Sequence, residues 1–330
     1  MGEYSTATED LGLRRRWDRI AGGLLGVHAG DSLGATAEFM SWSEIRERYP
    51  DGIREIVGGG KLNWPAGQAT DDTDLMRAVV LAYLDPGDDV VRAAADHMVK
   101  WWVGEWPGRE PGSRPHDFGG ATMTGLRRYQ QMEDPRRAGA GSGQAGNGSL
   151  MRCLPTALVV SDQERRIRES MEISAITHDD ARCTISCAAY NEIAAALLAD
   201  ASPDQAVTVG REVADRLGGN EVADAIAYGR RLQPAEAVRT GETYLANGGR
   251  GYVLDSLSLG VAALLDPRPL PDVVIDIAHL GGDTDTNAAI AGGLLGIRDG
   301  VSAIPERWRS KLQFGEEFLA AADAFSGRSS

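Results

Sequence analysis

The string Thr70-Asp71-Asp72-Thr73-Asp74 packs carboxylates and hydroxyls into consecutive positions, directly ahead of an apolar helix that starts at Leu75. A helix start can use one such residue as its N-cap. An acidic first turn also gains about 0.3–1 kcal/mol per carboxylate from the helix dipole. Neither reason requires so many. Adjacent carboxylates raise one another's pKa unless a cation or hydrogen-bond donors neutralise them. Carboxylate and hydroxyl oxygens together suit a hard ion such as Mg²⁺ or Mn²⁺. Alone, the segment leaves capping and metal binding both open.

A second segment, His279-Leu280-Gly281-Gly282-Asp283-Thr284-Asp285-Thr286-Asn287, has the same character and again opens a small-residue helix. Its Asp-x-Asp-Thr spacing lets alternating carboxylates converge while Thr286 adds a hydroxyl. Glu38 is the third element, closing the string AGDSLGATAEF. A lone Glu is ordinarily a solvated surface residue, but the apolar Phe39 and Met40 beside this one argue otherwise. Asp31 precedes it by two turns and shares its face if the helix continues that far.

These motifs lie far apart, so the elements that carry them must bring them together. The string IAGGLLG occurs at Ile20–Gly26 and again at Ile290–Gly296. Glycine costs about 1 kcal/mol relative to alanine inside a helix, so the repetition predicts two small-faced helices packed on each other or on a shared neighbour. Either arrangement joins the ends of the chain and sets Glu38 beside the second acidic motif.

Helical spacing runs from Arg16 onward and over 72–84, 89–104, 120–131, 149–160, 165–177, 180–200, 203–217, 220–230, 234–239 and 251–265, with almost no strand-like alternation. The fold class read from this is all-α: one compact domain over 16–330, preceded by a flexible leader at 1–15. Pro50–Thr70, Pro107–Gly119 and Ala138–Asn147 read as irregular, and Pro267–Pro271 as a short rigid connection. The Gly/Ser-rich 138–147 segment suits a domain linker and equally a loop that lets a ligand approach the backbone.

The chain has 330 residues and a formal charge of −14, which argues against any charge-driven binder of nucleic acid or anionic membrane; nucleic acid remains a partner only if it carries a modification to be removed. The three cysteines, Cys153, Cys183 and Cys187, form no CxxC pair and read as small buried hydrophobes. Trp101, Trp102 and Trp106 read as core. With no signal peptide and no bilayer-spanning run, the expectation is a cytoplasmic monomer.

Two enzyme classes with similar ingredients fit poorly. An isoprenoid synthase needs Asp-Asp-x-x-Asp, and Leu75 stands where the last Asp belongs. An HD-type phosphohydrolase needs histidines at helical spacing, and the five here are scattered.

Together GDSLGATAEF, TDDTDLM, GNGSLMR, THDDARC and GGDTDTNAAIAGG resemble, in this order, the ADP-ribosylglycohydrolase family over roughly residues 18–300. The resemblance implies a compact helical domain with two divalent cations, Mg²⁺ or Mn²⁺. Thr70, Asp71 and Asp72 would serve one ion, Asp283 and Thr286 the other, with Asp285 bridging and Glu38 approaching the second. The match also places Gly146, Asn147, Gly148, Ser149 and Met151 in a ligand loop that would open a helix. It sets Gly281 and Gly282 against the substrate and makes His178 a ribose contact, where the residues alone favour a His–Asp pair at a helix start.

His116-Asp117-Phe118-Gly119-Gly120 resembles the stretch whose glycine, here Gly119, faces the diphosphate. Ala121 departs from the two threonines often found there. Asp117 and Glu38 are the candidate general bases. The implied reaction is hydrolysis of the glycosidic bond between ADP-ribose and a modified protein side chain, with a free ADP-ribose derivative as the other substrate class. Arginine, serine, nucleotide-end and O-acetyl linkages all fit, with arginine favoured because GNGSLMR and THDD stand closest to the dinitrogenase-reductase branch. The alternative is a family member that binds ADP-ribose without cleaving it, or a structural member of the same family; loss of a metal ligand would mark one, and none is lost.

Overall fold

A computed structural model of the chain describes residues 2–241 and 251–327. Its long helices are α1 (Gly2–Gly34), α2 (Trp42–Arg48), α3 (Asp71–Leu84), α4 (Val90–Val103), α5 (Gly120–Met132), α6 (Pro155–Val159), α7 (Gln163–Ala175) and α8 (Ala181–Leu198). They continue as α9 (Pro203–Arg216), α10 (Asn220–Gly229), α11 (Pro234–Thr240), α12 (Val253–Leu265), α13 (Leu270–Ala278), α14 (Thr284–Asp299), α15 (Glu306–Arg309) and α16 (Gly315–Ser326). Among the described residues the only strand-like pairings are two isolated bridges, Gly59 with Trp64 and Gly146 with Tyr252. None of the helices is long and apolar enough to cross a membrane.

The architecture grows outward from α1 and α14. From Ile20 onward α1 is buried on every side, and so is α14 from Thr284 to Ile297. The two copies of IAGGLLG face each other directly and run antiparallel. A Cβ on Gly22 would lie 2.2 Å from the carbonyl oxygen of Gly296, and one on Gly26 would lie 2.2 Å from that of Gly292. The register continues through Gly30 against Ala288 and Gly34 against Thr284, where Thr284 Oγ1 also donates to the Gly34 carbonyl at 2.7 Å. Backbones this close gain dispersion contacts and Cα–H···O approaches that a side chain would prevent. The conformational cost of glycine in a helix is thereby offset.

The remaining helices wrap this pair: α16 and α3 lie against α1, α12 and α13 against α14, and α7 and α9 flank α8. Asp74 ties the α3–α4 side together by accepting from Trp101 Nε1 at 2.8 Å and Trp106 Nε1 at 2.9 Å, and by pairing with Arg109 at 2.5 Å. The indoles are thus core groups with their polar ends satisfied.

Four expectations need correction. The leader read at 1–15 is helical from Gly2, a continuation of α1. The helix read at 149–160 shortens to α6, because residues 148–154 are turns. The connection read at Pro267–Pro271 ends where α13 begins, and Pro271 sits in its first turn, where a missing N–H costs nothing. Helices α2, α13, α15 and α16 fall outside the expected list. The 138–147 segment, left open between linker and ligand loop, is no linker. It is pinned by the backbone N–H of Ala140 to the Thr177 carbonyl, of Gly141 to Asp179 (2.6 Å) and of Gly143 to Asp180 (2.7 Å).

The packing of α1 on α14 predicts a sharp asymmetry among glycines. Gly26→Ala and Gly292→Ala should each lower the unfolding free energy in urea by about 2–3 kcal/mol, the upper part of the overpacking range. Gly12→Ala, on α1 with open space where its Cβ would go, should be neutral or raise stability by up to ~1 kcal/mol. A wild-type urea midpoint for Gly26→Ala would contradict the backbone contact.

Candidate active site

Because α1 and α14 are antiparallel, the C-terminal end of one meets the N-terminal end of the other. Past Gly34 the chain makes a turn rather than continuing the helix, and this turn carries Glu38. The turn is stitched to the second acidic motif by paired backbone bonds: Phe39 N–H to the Gly282 carbonyl and Gly282 N–H to the Met40 carbonyl, each 2.8 Å. Gly281 and Gly282 have φ of 82° and 80°, which only glycine adopts freely, and a Cβ on Gly281 would meet Trp42 N at 2.7 Å. These glycines therefore shape the wall beside the acidic residues.

Asp31, on α1, joins the first acidic motif to this junction. Its Oδ2 accepts from the backbone N–H of Thr70 at 3.1 Å and of Thr73 at 3.3 Å, and from the Thr73 hydroxyl. It thus caps α3 from another helix, while Thr70 is the sequence-local N-cap. Asp72 Oδ2 accepts from the hydroxyls of Thr70 (3.3 Å) and Thr286 (3.2 Å), so the two motifs meet at one carboxylate. Asp117 enters from the opposite side on the 107–119 segment. Ligand oxygens of Glu38, Asp117 and Asp285 lie within 4.8 Å of one another.

The polar accounting is incomplete at this spot. Asp31 Oδ1, Glu38 Oε2, Asp72 Oδ1 and Asp285 Oδ1 are buried and have no hydrogen-bond partner among the described residues. An unsatisfied buried carboxylate oxygen is costly, and four of them converge. Burial raises these carboxyls above the usual range: Asp31 to about 7, against the bonds from Thr73 and Thr70 that draw it down, and Glu38 to about 9, where the neighbouring Asp117 and Asp283 add to the burial. Asp71, Asp72 and Asp285 are driven well up for the same two reasons, and Asp117 to about 6 by burial and Asp283. All-oxygen donors, orphaned lone pairs and mutual repulsion are what a hard divalent cation requires and relieves. The residues present fit such ions.

The acidic cluster floors a cleft of about 850 Å³. Of the residues singled out from sequence, Glu38, Asp71, Asp117, Asp283, Asp285 and Thr286 line it, as do Gly119, Gly146, Asn147, Gly148, Met151, His178, Gly281 and Gly282. Thr70 and Asp72 lie beneath its surface, buried. Ser149 does not line it: its Oγ accepts from Ser174 Oγ at 2.9 Å, inside the core. Nor does the GNGSLMR string open a helix. It forms turns around Asn147, whose carbonyl accepts from Leu150 and Met151 N–H. The Asn147 amide donates to Asp283 Oδ2 at 2.7 Å and to Ser256 Oγ at 2.9 Å, and Ser256 in turn donates to Asn287 at 2.8 Å. Asn147 thus orients an acidic residue besides lining the cleft.

His178 makes no pair with the aspartates that follow it. Asp180 caps α8 and pairs with Arg182, and Asp179 holds the 138–147 loop. The imidazole Nδ1 lies 2.7 Å from the Thr177 hydroxyl, and burial lowers the ring's pKa to about 3, so it faces the cleft uncharged. Behind it, the buried Arg152 bonds the Gly148 carbonyl at 2.9 Å, the Ile173 carbonyl at 3.2 Å and Thr177 Oγ1 at 2.7 Å, which locks the glycine turn against the His178 loop.

The 119–122 corner was only partly foreseen. Gly119 caps α5 without a side-chain bond, so the first-turn N–H groups of α5 are left open toward the cleft. Thr122 Oγ1, buried at 1%, also lacks a partner. Its signal in the sequence was slight, a lone threonine after a glycine pair. Sequence reasoning noted Asp31 only as sharing a helical face with Glu38, and it gave Thr122 no role.

Comparison with known proteins agrees with this geometry. The chain is 31% identical to the ADP-ribosyl-[dinitrogen reductase] glycohydrolase of Rhodospirillum rubrum, over 91% of this chain and 92% of that one. It is 28% identical to an ADP-ribosylarginine hydrolase of Pseudomonas putida, over 94% of this chain and 78% of the relative. A solved structure described as an ADP-ribosylglycohydrolase-related protein complex superposes with a TM-score of 0.78 at 26% identity, covering 96% of this chain and 100% of that one. The family model for ADP-ribosylglycohydrolases matches residues 13–330. The helical pair, the acidic floor and the cleft above it belong to a chain that is a member of the ADP-ribosylglycohydrolase family.

Proposed function

We propose that this protein hydrolyses the N-glycosidic bond between ADP-ribose and an arginine side chain, with two divalent cations, Mg²⁺ or Mn²⁺, at the acidic floor of the cleft. What supports this reading is the convergence of orphaned buried carboxylate oxygens beneath a cleft large enough for a dinucleotide-sized ligand, together with relatives that carry arginine and dinitrogen reductase in their names.

Thr70, Asp71 and Asp72 would hold one ion and Asp283, Thr286 and Glu38 the other, with Asp285 available to serve both. When bound, the ions supply Lewis acidity toward the ribose hydroxyls and lower the pKa of an attacking water. The diphosphate is assigned to the open first turn of α5, whose N–H groups at a helix start suit an anion, and to the glycine turn at Gly146–Gly148 that lines the same cleft. The Thr122 hydroxyl adds a donor there. His178, neutral and fixed by Thr177, offers its remaining ring nitrogen to the ribose. Positive charge that develops on the sugar as the bond loosens is stabilised by the surrounding carboxylates. Asp117, half-buried on the wall opposite α1 and α14, has the water access a general base needs, while Glu38 at 4% exposed is placed as a ligand. Asp117 takes a proton from water as the water oxygen bonds to the anomeric carbon; the C–N bond breaks with its electron pair going to nitrogen, and the proton passes to the departing guanidine, which leaves as a guanidinium.

The deciding assay is ADP-ribose release from arginine-modified and serine-modified protein with Mg²⁺, with Mn²⁺ and with chelator. Release from the arginine substrate alone, abolished by chelator, is expected; ADP-ribose binding without release from either would establish a binding protein instead. Asp285→Asn should cut release by more than about 100-fold, because it removes the carboxylate assigned to both ions. The metal-free Asp285→Asn protein should melt no lower than metal-free wild type, since one repelling charge is gone. Saturating metal should raise the wild-type unfolding free energy by about 2.7 kcal/mol at 100 times the dissociation constant, a shift the variant should lack. Asn147→Ala, which frees Asp283, should weaken metal affinity about 10- to 100-fold, as expected for lost orientation of a ligand. Unchanged affinity on titration would remove Asn147 from that role.

A further inference from the structure

Phe39 is a large apolar residue that the packing of this fold gives little structural reason to keep. It is 52% exposed, on the lip of the cleft, and has no place in the hydrophobic core. Its φ is 61°, the left-handed region that a bulky side chain enters only at a cost. Three bonds hold it there: its N–H to the Gly282 carbonyl, the adjoining Gly282 N–H to the Met40 carbonyl, and Lys61 Nζ to its own carbonyl at 2.6 Å. A glycine or asparagine would satisfy the same backbone with less strain. Phe118, the other phenylalanine lining the cleft, differs: its ring packs edge-on against Trp102 at 4.9 Å and is partly buried.

The position of Phe39 specifies what its ring would meet. It follows Glu38 directly, and Glu38 belongs to the carboxylate group where the reacting ribose is assigned. Whatever is linked to that ribose must leave beside it. An arginine linkage puts a planar cationic guanidinium directly on the anomeric carbon. Among the described residues no lysine or arginine lines the cleft, whereas Glu38, Glu44, Asp71 and Asp117 do, so a departing cation leaves past an acidic lining. On the same lip the Trp42 ring already carries the Arg46 guanidinium at 4.9 Å, which illustrates the contact an aromatic face offers an arginine there.

We infer that Phe39 is a specificity-determining residue, its ring forming the platform for the guanidinium of the ADP-ribosylated arginine. The inference rests on the arginine-hydrolase reading above and goes beyond it by naming the group that recognises the leaving side chain. A neutral serine linkage gains nothing from such a platform.

The test compares Phe39→Leu, Phe39→Tyr and Phe39→Gly with wild type in the metal-loaded enzyme. For ADP-ribosylarginine protein, kcat/KM should fall about five- to twentyfold in Phe39→Leu and Phe39→Gly, the range of a cation–π contact that is partly desolvated, and should be kept in Phe39→Tyr. Calorimetric affinity for free ADP-ribose, which lacks the leaving group, should be unchanged in all three. Phe39→Gly should melt at or above the wild-type temperature because it relieves the positive φ. Wild-type kcat/KM in Phe39→Leu would overturn the inference while leaving the hydrolase reading intact. A parallel loss of ADP-ribose affinity would overturn it as well, by making the residue part of the ADP-ribose subsite. No release by wild type itself would overturn the hydrolase reading and the inference together.

Discussion

The direct backbone contact between α1 and α14 is the constraint on which the rest of this molecule depends. With glycine opposite glycine at two successive turns, the helices approach as closely as main chains allow and can adopt only one register. That register fixes which residues meet at the far end. Gly34 comes against Thr284, so the turn after α1 falls beside the start of α14, and Glu38 reaches Asp285 across a sequence separation of almost the whole chain. A side chain anywhere along the seam would splay the pair and open the acidic floor before it disturbed the periphery.

The contact also makes the electrostatics tolerable. Seven carboxylates, those of Asp31, Glu38, Asp71, Asp72, Asp117, Asp283 and Asp285, repel one another in a region from which water is largely removed. Such a group holds together only if the scaffold around it is stable without it. The all-round burial of α1 and α14, the Asp74 anchor with its two indoles and Arg109, and the Arg152 clamp beneath the glycine turn supply that stability from outside the cluster. Asp74 pairs with Arg109, and Arg152 is buried beneath the glycine turn, so these anchors stiffen the walls without placing a cation in the described cleft lining.

Much of this was legible in the chain because it follows from short-range rules. The repeated IAGGLLG implied close-packed helices and joined termini, and, α6 apart, the helix boundaries from α3 to α12 fall within a few residues of the hydrophobic period. Legibility stopped where a local pattern was overruled by a distant partner. The 149–160 pattern is apolar enough for a helix, but its first half turns because Asn147 is held by Ser256 and Asp283 and Arg152 is spent on carbonyls. Ser149 sits in a ligand-like string yet faces Ser174. Asp31 looked like one more residue of a helical face; its capping of α3 from another helix is a long-range bond that spacing cannot reveal. His178 beside Asp179 and Asp180 suggested an ion pair, and only the three-dimensional claims on those aspartates by the 138–147 loop and by Arg182 leave the imidazole neutral and free to face the cleft.

A protein of net charge −14 whose cleft is walled by carboxylates is an unexpected host for a dianionic diphosphate. The usual solution, a lysine or arginine clamp, is missing from the described lining. In the proposed reading, attraction comes from uncharged donors, namely the open first turn of α5, the glycine backbone at 146–148 and the Thr122 hydroxyl, and from cations that the floor would hold. The two sources are not independent. Without cations the floor repels the ligand, and with them the same carboxylates are screened and become ligands. Binding of the diphosphate end is thereby coupled to occupancy of the ribose end, although no residue links the two directly. The acidic lining has a second consequence in the proposed reading: among the described residues the cleft lining itself presents no lysine or arginine to a guanidinium that leaves the sugar toward an aromatic face. One charge distribution serves both ends of the substrate: acidic enough to release a cation, and receptive to an anion only when metal is present.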